Sequence, residues 1–78
     1  MRIERQIGDQ IRLLRTLHGI PLDALADIVG IRPDRLHEIE DGLERASAEL
    51  LVNIAETVGV APSYFFQLIV APAHDPRT

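Results

Sequence analysis

The sequence predicts an all-α domain, a compact bundle of five helices. Three observations predict it. Apolar residues recur at steps of three and four, the period of one helix face, along most of the 78 residues. Gly19, Gly30, Gly42 and Gly59 follow those runs where helices end, and Pro33 and Pro62 stand where helices begin. No stretch alternates apolar and polar residues as a half-buried strand does.

The first helix is expected over residues 3–18, where Ile3, Ile7, Ile11, Leu14 and Leu17 form one stripe that stops at Gly19. Leu22, Leu25, Ala26 and Val29 give a short second helix over 22–29, closed by Gly30. Pro33 suits a first helical position, and Leu36 and Ile39 are the apolar stripe of a third helix over 33–41, stopped by Gly42. Ser47 is placed to cap a fourth helix over 48–58, with Glu49 in its first turn and Leu50, Leu51, Ile54, Ala55 and Val58 as its inner face. The fifth, over 62–69, opens at Pro62 and carries Tyr64, Phe65, Phe66, Leu68 and Ile69. The ending "APAHDPRT" has two prolines and no period. The expected organisation is one domain over 1–70 and a flexible C-terminal tail over 71–78.

Composition narrows the function classes. There is no cysteine, so neither disulfides nor thiolate metal sites can staple the fold, which suits a reducing cytoplasm. No charged-then-apolar leader appears, and no apolar run approaches the roughly 18 residues of a membrane span. A cytoplasmic protein without a membrane partner is expected. Net charge is −4, from 8 arginines, no lysine and 12 acids. The balance is uneven: 1–19 is net +2, 20–45 is net −4 and 46–78 is net −2.

Catalytic chemistry finds no footing. His37 and Asp41 are four apart on one face, but two metal ligands without a third make a poor site. His18 ends the first helix, where it complements the dipole, and His74 lies in the tail. Ser47 reads as a cap and Ser63 as a first-turn residue, with no histidine spaced to activate either. No glycine-rich phosphate loop is present. Neither enzyme activity nor a metal or cofactor is expected.

The second and third helices are joined by a few residues with a glycine at the turn, the layout of a helix-turn-helix. Four segments in order, "IGDQIRLLR", "ALADIVGI", "LHEIEDG" and "AELLVNIAETVGVAPSYFF", carry a wider likeness. Over Ile7 to Phe66 the chain resembles the Cro and phage-repressor-like helix-turn-helix family, also called the XRE family. The resemblance implies a lambda-repressor-like DNA-binding domain that dimerises and represses transcription by placing its third helix in the major groove. It also implies a partly buried structural ion pair between Arg15 and Glu40, pinning the first helix to the third. Gly30 and Gly42 match the family's turn and helix-end glycines. The departures fall at DNA-facing positions: Pro21-Leu22 stands where the family has Ser-Gln, and Arg32-Pro33 replaces the polar opening of the third helix.

With Leu36 and Ile39 inward, a step of about 100° per residue puts Asp34, His37, Glu38 and Asp41 on the opposite face. Three of these four are acids, and none gains the counterion release that drives DNA binding. A carboxylate can nevertheless accept from cytosine N4. One reading has Asp34, His37 and Glu38 facing bases of double-stranded DNA while Arg32, Arg35, Arg45 and Arg12 hold phosphates. The other has a degenerate helix-turn-helix whose acidic face docks a protein partner. Leu68, Ile69 and Val70 continue the apolar run of the fifth helix, where they either close the core under the first helix or stay exposed; the second reading makes Phe66, Ile69 and Val70 the expected homodimer contact.

Overall fold

The computed structural model describes residues 3–70, with side chains through Leu68. The tail expected over 71–78 and the side chains of Ile69 and Val70 lie outside the described residues. Five helices form, α1 (Ile3–Leu17), α2 (Leu22–Val29), α3 (Pro33–Glu40), α4 (Ala48–Val58) and α5 (Ser63–Val70), with no strand among the described residues. Helix ends differ from the sequence reading by one residue in places. Asp41 caps α3 rather than extending it, and Pro62 precedes α5, its carbonyl accepting from Phe65 N at 3.1 Å.

All five helices contribute to one core. Ile11, Leu25, Leu36, Ile54 and Phe65 are fully buried, and burying each such side chain is worth about 1.5–3 kcal/mol. Leu17, the last member of the α1 stripe, is 71% exposed. It lies about 120° round the helix from Ile11, so a three-four period that looks continuous in sequence has drifted off the core by the last turn. Phe65 is a core residue, and Phe66 and Leu68 are half-buried against it. The α4 helix starts at the expected cap, with Ser47 Oγ accepting from Leu50 N at 3.1 Å.

α1 lies across α3 and also packs on α4 and α5, while α2 packs on α3 and α4. Two glycines set the α1–α3 distance. A Cβ on Gly8 would lie 2.4 Å from Ile39 O and 2.5 Å from Glu40 O, so only a bare backbone passes there. Gly42 has φ 77°, and a Cβ on it would meet Arg5 Cα at 2.8 Å. The C-terminal end of α3 is therefore clamped under α1.

Candidate nucleic-acid interface

The turn between α2 and α3 is built by three residues. Gly30 closes α2 in the left-handed conformation, φ 81° and ψ 31°. Space does not require a glycine here, since nothing lies near its would-be Cβ; the positive φ does. Gly30 N donates to Ala26 O at 2.9 Å and Ile31 N to the same oxygen at 3.0 Å, which satisfies the end of α2. Arg32 is extended, φ −75° and ψ 146°, and Pro33 then starts α3 with its fixed φ and no N–H left to satisfy. Neither Pro21 nor Arg32 supplies a side-chain cap; in α3 the Asp34 carboxylate accepts from Arg35 N at 3.0 Å instead.

The two ends of α3 have different surroundings. Leu36 and Ile39 point into the core, whereas Arg32, Pro33, Asp34, Arg35, His37 and Glu38 are exposed. At the other end Glu40 is 1% exposed, a buried acid held by two arginines of α1. Arg15 Nε donates to Glu40 Oε2 at 2.7 Å, and Arg15 Nη2 to Glu40 Oε1 at 3.0 Å. Arg15 Nη1 also donates to the carbonyl of Ile20 at 3.0 Å, tying in the loop before α2. Arg12 Nε reaches Glu40 Oε1 at 3.3 Å, and Arg12 Nη2 donates to Asp41. This is the forked geometry in which a guanidinium binds carboxylate best. The hydrogen bond from Arg12 holds the Asp41 carboxyl below its ordinary value, and the same bond raises Arg12. The arginines also set positive charge at the negative end of the α3 dipole.

Asp34, His37 and Glu38 share the outer, exposed side of α3. Asp41, on the same side by helical period, instead turns to Arg12, with His37 Nδ1 at 3.5 Å from its Oδ2. The four arginines assigned to phosphates each lie against an acid. Arg35 Nε donates to Glu44 Oε2 at 2.6 Å. Arg45 donates to Glu4 Oε2 from Nη2 at 3.0 Å and from Nε at 3.2 Å. Arg32 Nε is 3.4 Å from Asp34 Oδ1 in a fully exposed contact, and Arg12 belongs to the clamp. Sequence reasoning missed Glu4 and Glu44, which lie 41 and 9 residues from their arginines and have no helical spacing to reveal them. It also missed Gly8, whose trace was a lone glycine inside a helical pattern. Among the described residues no group of three or more His, Asp or Glu is placed to hold a metal ion, and no helix is long and apolar enough to cross a membrane.

The helix-turn-helix family model HTH_3 matches residues 11–65, from the middle of α1 into α5. The chain belongs to this family. Its curated helix-turn-helix relatives include an uncharacterized HTH-type transcriptional regulator of Sinorhizobium medicae, 34% identical over 83% of this chain and 47% of that protein. Another is an uncharacterized transcriptional regulator in the ATPase CF(0) region of Rhodospirillum rubrum, 31% identical over 97% of this chain and 75% of that one. The chain thus spans about half the length of the S. medicae relative. Among solved structures, an HTH_3 family transcriptional regulator from Vibrio cholerae superposes with TM-score 0.72 and 33% identity, over 82% of this chain and 36% of that one. The clp gene regulator ClgR of Corynebacterium glutamicum superposes with TM-score 0.82 at 24% identity, over 92% of this chain and 77% of that one, a likeness of fold.

Proposed function

We propose that this helix-turn-helix chain regulates transcription, as a repressor, by placing α3 in the major groove of double-stranded DNA. The supporting observation is the contrast between the ends of α3. Its C-terminal turn is clamped under α1, while its N-terminal half projects with Asp34, His37 and Glu38 outward and two arginines beside them. A groove reader needs such a rigid, protruding helix start. Asp34, His37 and Glu38 face the base edges, where a carboxylate selects cytosine. Arg32, Arg35 and Arg45 meet the phosphates, and Arg12 joins them only by leaving Asp41.

The functional unit is a homodimer that spans two half-sites, joined through α5 around Phe66 to Val70. Support comes from charge. No charged residue lies between Glu56 and Asp75, the Tyr64 hydroxyl bonds to Gln10 of α1, and Leu13 and Leu17 are exposed further along α1. In a chain of net charge −4, such a face meets its own copy without repulsion.

Selection from a random DNA library at low salt tests the DNA reading. An enriched sequence is expected, with affinity that falls on a log–log salt plot at a slope of about −3 per subunit for about three phosphates neutralised. Arg35→Ala should weaken binding to all sequences, and Glu38→Gln should alter base preference. No enrichment, with Arg35→Ala indifferent, removes the reading and leaves the acidic face to be tried against basic protein partners. For the dimer, sedimentation should show a two-chain species that Ile69→Glu shifts toward monomer; a wild type monomeric at high concentration rejects it.

A further inference from the structure

We propose that Glu44 is an intramolecular competitor for DNA: it occupies Arg35 in the free protein and must release it before Arg35 can hold a phosphate. The proposal rests on the DNA-binding reading above. Arg35 stands in the first turns of α3 beside the outward residues, and Glu44 stands in the loop that follows α3. Their contact, Nε to Oε2, is 2.6 Å. Both side chains stay partly open to solvent, 45% for Arg35 and 34% for Glu44, so an incoming phosphate has access to the pair.

Glu44 lines a cleft of about 430 Å³ together with Ile3, Ile7, Ile39 and Ala46. Arg35 reaches Glu44 on a long flexible stem, so its guanidinium can swing from the carboxylate to a phosphate. Carboxylate and phosphate use the same N–H edge of a guanidinium, so Arg35 serves one or the other. Exchange also leaves the Glu44 carboxylate beside the DNA backbone, a like charge near the very contact that Arg35 makes. Both consequences act in one direction: Glu44 weakens phosphate binding, by occupying Arg35 and by repelling the backbone.

Four proteins decide this: wild type, Glu44→Gln, Arg35→Ala and the double variant, each titrated by fluorescence anisotropy with a short duplex of random sequence at low salt. Random sequence suits the test because phosphate contacts are blind to sequence. Gln keeps the shape of Glu, and melting curves establish that each variant is folded. Glu44→Gln is expected to tighten binding about two- to fivefold, the range set by releasing one exposed ion pair. The same substitution should gain clearly less in the Arg35→Ala background, where only the charge repulsion is left to remove. An equal gain in both backgrounds shows only a general charge effect and overturns the competitor role. So does a wild type that binds, loses affinity with Arg35→Ala and is indifferent to Glu44→Gln; that result sinks this inference alone. Absence of binding by all four proteins removes the DNA reading and this inference with it.

Discussion

Arg15 and Glu40 meet as a fork on a fork, with Nε 2.7 Å from Oε2 and Nη2 3.0 Å from Oε1, although 25 residues separate them. Glu40 is buried and Arg15 is 15% exposed, so the carboxylate depends on this guanidinium for its solvation. Arg15→Ala should lower stability by roughly 1–3 kcal/mol, less than the full cost of stranding a buried charge because Arg12 keeps one contact to Glu40. Urea denaturation measures it, and an unchanged midpoint would show the pair to be an ordinary surface contact.

Gly8→Ala offers a test in which two effects oppose each other. Inside a helix, alanine is favoured over glycine by about 1 kcal/mol. Here its methyl would sit 2.4 Å from Ile39 O and 2.5 Å from Glu40 O, both backbone atoms that cannot turn aside. Overpacking of this kind costs about 1–3 kcal/mol or more. Net destabilisation is expected, together with loosening of the α1–α3 clamp. A thermal melt of Gly8→Ala at or above wild type would contradict the close approach.

The Arg12–Asp41 bond predicts a particular acid response. Hydrogen bonding from Arg12 lowers the Asp41 carboxyl below its ordinary 3.8 in the folded protein. The stabilisation is therefore complete above that value and is lost as pH falls through the lower, folded one. Asp41→Asn should be less stable than wild type at neutral pH, and the difference should shrink as pH drops below 3.8. A carboxyl titration followed by NMR checks it directly; an Asp41 that titrates at or above its ordinary value would refute the bond.

The helices were legible because their punctuation is local. Gly30 and Pro33 fix the turn from their own backbone limits, and Ser47 caps α4 from three residues away. Where the core side of a helix depends on accumulated rotation, the sequence misled: Leu17 continues the α1 stripe in spacing but is exposed. The exposure of Asp34, His37 and Glu38 follows from the helical period and two inward residues. Which carboxylate each arginine meets does not. Arg45 with Glu4 and Arg35 with Glu44 are joined by the path of the α3–α4 loop over α1, and nothing in residue spacing encodes that path. The crossing at Gly8 was hidden likewise, since a glycine in a helix marks a close neighbour without naming it.

The N-terminal half of α3 is proposed to enter DNA while its C-terminal turn stays clamped. Backbone amide shifts recorded by NMR during titration with a selected duplex test it most directly. The largest changes are expected over residues 32–38, with Ile39, Glu40 and the Gly8 region little altered because the clamp holds. Largest changes elsewhere, or a duplex that leaves residues 32–38 unmoved, would contradict it.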